Sequence, residues 1–305
     1  MRVGLSGGAS SASKMVEQAQ RAEEDSFSSL WYASAVGGDP LVAMAMAGRA
    51  TSSIELGTSV LQTYTAHPVL QANRAASVVD GMGRPGFTLG IGPSHQPPIE
   101  DAYGLSYDHP GRHTEEYVRV LTGLLRGEAV AFDGDDFRVH AAGPALAGRA
   151  PVPVLVAALA PRLLRVAGEL TDGTILWMGN EQAVKGHVAP KLLAAASAAG
   201  RPAPRIVAGL PVAVHDDVDE ARATAAAAFS VYGQLPNYRR LLDIGGAGGP
   251  EDAAIIGDEA AVTARIDALF AAGATDVWAA VFPVGADGAA SRRRSRALLK
   301  ELAAA

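Results

Sequence analysis

The chain has 305 residues, 49% of them apolar and 19% charged, with a formal net charge of -6 and no cysteine. That is enough chain to bury a large core; disulfides and thiolate metal ligands are excluded, and the charge argues against a nucleic-acid partner. No apolar run approaches the roughly 18 to 20 residues that span a membrane, and Met1-Arg2-Val3-Gly4-Leu5 enters a strand without a signal-peptide core, so a cytoplasmic protein is expected.

Strand-like and helix-like segments alternate from end to end. Val3 to Ser6 reads as a buried strand, and Met15, Val16, Ala19 and Ala22 recur at helical spacing after it. Leu30-Trp31-Tyr32 is a second strand, followed by a helix from Pro40 to Ala50. Ile54 to Leu61 predicts one continuous third strand, and Pro68 opens a helix running to Val79. Phe87 to Gly92 is the fourth strand; beyond a long Gly/Pro-containing loop, Tyr117, Val118, Leu121, Leu124 and Leu125 mark one helix face. Val152 to Ala158 is a strand, and Pro161 starts a helix ending near Gly168. Gly173 to Met178 and Arg205 to Val214 are strands, each followed by a helix, Glu181 to Ala199 and Val218 to Val231. After the Gly-rich stretch 245–250, Asp258 caps a helix with Val262, Ile266, Leu269 and Phe270 inward. Asp276 to Phe282 is the eighth strand, and Leu298, Leu299 and Leu302 face inward from the closing helix.

Such alternation predicts a parallel sheet with helices outside it, and eight units of this size predict a closed (β/α)8 TIM barrel, one domain over 1–305 with insertions in its loops. A doubly wound open sheet is the alternative topology. In a barrel the ligand sits at the C-terminal strand ends. Here those ends are short of charge, with no Ser/His/Asp set and no metal ligands. Small and apolar ends suit a flat, uncharged ring system, a cofactor that carries its own reactivity. Gly90-Ile91-Gly92-Pro93-Ser94 lacks the third glycine of a dinucleotide fingerprint, and tight packing explains it equally well. Ala158-Leu159-Ala160-Pro161 offers either a phosphate seat at a helix N-terminus or an ordinary turn. His67 caps a helix or packs under a loop, and Pro110-Gly111 argues against a shared helical face for His109 and His113. Trp177 and Met178 are core or pocket wall. Arg292-Arg293-Arg294 with Arg296 reads as a solvated helix face, the alternative being a hold on an anionic ligand.

Leu56 to Leu61, His67-Pro68 and Gly83 to Gly92 resemble the luciferase-like monooxygenase superfamily. Ala158 to Leu164 and Ala167 to Gly173 resemble its coenzyme F420-dependent members, the methylenetetrahydromethanopterin reductases above all; Leu56 to Leu61 is similar to the F420-dependent glucose-6-phosphate dehydrogenases. The resemblance implies an F420-dependent oxidoreductase moving a hydride between the deazaflavin and a C=C, C=O or C=N bond of a small organic substrate. It implies a cis peptide at Ser59-Val60 behind the ring, with Ser34 and Gln62 nearby and Gly92, Pro93, Ser94 and His95 along ring and ribityl chain. The turn Ala158, Leu159, Ala160, Pro161 would hold the phosphate, and Trp177, Met178 and Gly179 would lie beside the tail. FMN relatives offer serine hydroxyls at that turn; this chain offers none, which favours F420 over FMN. Ser34 and Ala35 replace the Asp-His pair of the sugar-phosphate enzymes, Ser6 the reductases' glutamate, and Asn180 a phosphate-binding lysine, so neither substrate carries over. His95 and Tyr64 are candidate proton donors, with Tyr103, Tyr107 and His109 behind them; no metal is expected, and a homodimer through outer helices is implied. An FMN-dependent monooxygenase and a non-catalytic F420-binding barrel are the competing readings.

Overall fold

A computed structural model describes residues 1–9, 11–33, 38–143 and 150–305. Its main sheet is built from β1 (Val3–Ser6), β2 (Ser29–Tyr32), β3 (Glu55–Thr58), β4 (Phe87–Gly92), β5 (Val154–Val156), β6 (Gly173–Trp177), β7 (Arg205–Val214) and β8 (Asp276–Val281). Every neighbouring pair is parallel, and β8 pairs with β1, so the sheet closes into a barrel and the open-sheet alternative is excluded.

Large residues inside the ring are accommodated by glycines in register with them. Trp31 lies opposite Gly57, and Trp278 opposite Gly209 on one side and Gly4 on the other. A Cβ at position 209 would stand 2.0 Å from the Trp278 ring, and one at 57 would stand 2.2 Å from Trp31. The two indoles pack with Leu155, Ile175 and Val207 as the plug of the barrel, a filled core rather than a pore. Outside it, helices begin where proline and a capping side chain coincide. Pro40 follows Asp39, whose side chain accepts from Leu41 N at 2.9 Å, and His67 caps Pro68–Met82 through its Nδ1.

Several elements differ from expectation. The third strand does not run through to Leu61: Ser59-Val60 is a cis peptide, and pairing resumes at Leu61–Gln62 beside Ile91–Gly92. At this break the Thr58 hydroxyl takes over the ladder, donating to Gly90 O at 2.7 Å and accepting from Gly90 N at 2.8 Å. A hairpin, Val130–Asp133 with Arg138–Ala141, lies where no element was expected. A short strand, Ile255–Gly257, extends the sheet beside Val212–Val214. The expected helix 181–199 contains a wider turn at Val184–Val188, and 218–231 ends at Ala228. A further helix, Pro236–Ile244, then packs back toward the barrel mouth. Pro110 opens a helix instead of interrupting one, placing His109 at its N-cap. Among the described residues no helix is long and apolar enough to cross a membrane.

Candidate active site

A pocket opens at the C-terminal ends of β3 to β6, with about 690 Å³ of free space counting its mouth. Four stretches build its walls. The β3 end contributes Ser59 and Val60, and the β4 end contributes Gly92, Pro93, Ser94 and His95. The β5 turn and its helix add Ala157, Leu159, Ala160 and Leu163; Ile175, Leu176 and Trp177 come from β6. Trp278 of β8 forms the floor, its ring stacked on Trp177 at 5.2 Å and 22°, while Asn237 and Tyr238 reach in from helix Pro236–Ile244.

Among the described residues no carboxylate, lysine or arginine lines this space. The β4 end is fixed by hydrogen bonds: Gln62 Nε2 donates to Ser94 Oγ at 3.1 Å, and Tyr107 OH donates to Ser94 O at 2.7 Å. Ser94 holds φ at +65°, a left-handed conformation that a non-glycine residue keeps only where its surroundings demand it. His95 faces the Tyr238 ring at 5.5 Å. Burial pushes the His95 imidazolium pKa down and the Tyr238 phenol up, so both are neutral near pH 7.

At the other end of the pocket lies the N-terminus of helix Pro161–Leu170, which has no side-chain cap. Its first-turn N–H groups, on Arg162 and Leu163, are therefore left to solvent or a ligand, with the helix dipole favouring an anion. His187, buried behind the turn, holds Leu159 O at 2.9 Å. The Arg162 guanidinium turns away to Glu115 at 3.0 Å, so the backbone alone forms this seat.

Of the residues singled out from the sequence, Ser59, Val60, Gly92, Pro93, Ser94, His95, Leu159, Ala160 and Trp177 meet at this pocket. Ala158 and Met178 are buried beneath it, and Pro161 and Gly179 stand outside its lining. Gln62 acts through Ser94 and lines a neighbouring space with Arg74 and Tyr103. Tyr64 is not in the pocket lining: its ring stacks on His113 at 3.8 Å and packs against Tyr107 at 5.3 Å. Tyr103 is exposed, and His109 is a helix cap. Asn180 caps the helix after β6 and donates to Gly245 O at 2.9 Å. Ser34 and Ala35 lie outside the described residues. Sequence reasoning missed Tyr238, Asn237 and Trp278. Pro236, followed by Tyr238, Leu241 and Leu242 at helical spacing, was the available signal for the first two.

The chain is 31% identical over 217 residues to 5,10-methylenetetrahydromethanopterin reductase of Methanolobus tindarius, an alignment covering 70% of this chain and 65% of that relative. It is 28% identical over 179 residues to a putative coenzyme F420-dependent oxidoreductase of Mycobacterium tuberculosis, covering 54% of this chain and 51% of the relative. The chain thus spans less than two thirds of either protein. The fold superposes on the coenzyme F420-dependent tetrahydromethanopterin reductase of Methanopyrus kandleri with a TM-score of 0.76 at 19% identity, over 99% of this chain and 97% of that one. The sequence model for luciferase-like monooxygenases matches residues 1–285, and the chain belongs to that family.

Proposed function

We propose that this barrel is an F420-dependent oxidoreductase acting on a small organic substrate with a reducible C=C, C=O or C=N bond. The observation that carries the reading is the pocket itself: uncharged, floored by indoles, and ending on an uncapped helix N-terminus. The residues fit a deazaflavin. Val60, Ile175 and Trp278 would flank its flat ring, and the free Arg162 and Leu163 N–H groups would hold the phosphate of coenzyme F420. When bound, the deazaflavin supplies or accepts the hydride. The chain's own groups orient the partners, exclude water and handle the proton. His95 and Tyr238 are the neutral side chains that line the pocket and would pass that proton; Tyr64 does not line it. The name of the Mycobacterium tuberculosis relative supports the same cofactor chemistry.

Parallel titrations with F420 and FMN test this reading. F420 is expected to bind at least about tenfold more tightly than FMN. Tighter binding of FMN moves the chain to the oxygen-consuming monooxygenases. F420 binding without turnover of any acceptor leaves a carrier, and binding of neither removes the cofactor assignment.

The same reading includes a homodimer. Its seam is the outer face of helices Pro40–Ala50 and Pro68–Met82, where Val42, Met46 and Leu70 are exposed by 59%, 45% and 53%. Val42→Glu with Met46→Glu is expected to convert a dimer to a monomer in light-scattering chromatography. A wild-type monomer at about 10 μM, well above the nanomolar dissociation constants of tight interfaces, would remove the proposal.

A further inference from the structure

The basic run of the closing helix, Gly288–Ala304, divides into two kinds of arginine. Arg294 is tied to Glu259 at 2.6 Å and Asp216 at 2.8 Å, and Arg296 to Asp25 at 2.9 Å while lying over the Phe27 ring. Those two are held by carboxylates of the fold. Arg292 and Arg293 are exposed, and neither has an ion pair or side-chain hydrogen bond among the described residues. Both line a second cleft at the same end of the barrel, together with Ser6, Gly7, Gly8, Ala280 and the Asp25-paired Arg296. It holds about 930 Å³ of free space counting its mouth, and among the described residues no carboxylate lines it.

This cleft begins where the wall of the first pocket ends. Ala280 is two residues beyond Trp278 on β8, about 7 Å along the strand. With Val60 and Trp177 it packs against the cluster that contains Trp278. Two adjacent guanidiniums repel each other, and the forked donors of each match the oxygens of a carboxylate or phosphate. Ser6 closes β1 with an exposed hydroxyl beside them. Arg294 and Arg296 are neutralised by protein carboxylates, Arg296 while lining the same cleft, whereas Arg292 and Arg293 have no such partner among the described residues.

We infer that the Arg292–Arg293 cleft binds an oxyanion, a carboxylate or phosphate, and that this anion belongs to the substrate. The second half of the inference rests on the oxidoreductase reading; the first half rests on the cleft alone. The substrate class is then a small unsaturated or carbonyl acid, its acid group held at the Arg292–Arg293 cleft while its reducible bond lies in the first pocket.

The test uses the protein without cofactor, titrated with inorganic phosphate and, separately, with succinate. Binding is followed through the Nε–H resonances of ¹⁵N-labelled arginine. The Arg292 and Arg293 signals should move saturably with a Kd of about 1 mM for at least one probe. R292A/R293A should weaken that binding by about tenfold or more. R119A, on a different helix, should leave it unchanged. The tighter probe assigns the anion class. No saturable shift by about 50 mM of either probe, or equal binding by the double variant, overturns the inference. Because F420 is absent, that failure leaves the cofactor titration standing, and a failed cofactor titration leaves the anion site standing.

Discussion

Arg205→Met is expected to destabilise the barrel by about 3 to 5 kcal/mol and to lower Tm by about 10 °C. Arg205 opens β7 at the end opposite the pocket, and its guanidinium donates to Glu55 of β3 at 2.8 Å and Asp276 of β8 at 2.7 Å. Arg2 reaches the same two carboxylates from the edge. The Asp276 side chain is only 2% exposed. Removing Arg205 leaves it facing a half-exposed arginine, and an underpaired buried charge carries most of the expected loss. Burial pushes the Asp276 carboxyl up, and Arg205, Thr275 and Arg2 more than offset this, holding it below the usual carboxylate range. In the wild type its contribution is therefore present above the unfolded pKa of about 3.9 and is lost as pH falls through the folded value. In the variant only Thr275 and Arg2 work against burial, so the folded carboxyl pKa rises from its wild-type value. The Tm gap between variant and wild type should thus narrow as pH falls through the unfolded pKa of about 3.9. Adding Glu55→Gln and Asp276→Asn should restore most of the loss. A triple variant as unstable as Arg205→Met would instead assign the effect to the packing of the arginine stem.

That ion network illustrates what the sequence does and does not disclose. Arg205 to Val214 is legible as a strand because its apolar run is long and its ends are marked; helix Pro40–Ala50 is legible through Asp39-Pro40. Which strand-opening charges meet across the ring depends on closure and register, which no local pattern contains. The same holds at the pocket. His95 and Ala160 could be placed because strand ends and helix starts are local features. Trp278 sits mid-strand and reads as core; its role follows only from pairing opposite Gly209. Tyr238 was hidden because helix Pro236–Ile244 falls in an irregular connection before the Gly-rich stretch, where alternation gives no guide. Val130–Asp133 and Arg138–Ala141 were hidden because each is short, half exposed and carries charge, so its alternation resembles a polar loop. The interruption at Ser59-Val60 came from family resemblance, since Ile54 to Leu61 is by composition an ordinary strand.

Ala160→Asp should stabilise the fold while weakening F420 binding, and those opposite signs make it the sharper test of the phosphate seat. Ala160 is the N-cap of helix Pro161–Leu170, with φ −102° and ψ 155°, and no side chain caps the first turn. An aspartate in that conformation accepts from Leu163 N and places a negative charge at the positive end of the helix dipole. The gain is about 1 kcal/mol, or about 2 to 4 °C in Tm. The carboxylate would then occupy the donors assigned to the cofactor phosphate and repel it as well. Losing one charge-assisted hydrogen bond, about 1.5 to 3 kcal/mol, weakens binding by about tenfold to a hundredfold before repulsion is counted. Ala160→Asn caps without charge, so it should keep the stabilisation and lose less affinity. Differential scanning fluorimetry and an F420 titration on the three proteins read both effects. General damage at the turn would lower stability and affinity together. If Ala160→Asp raises Tm and F420 still binds as in the wild type, the phosphate lies elsewhere, and the free N–H groups after β5 form an ordinary strand-to-helix turn.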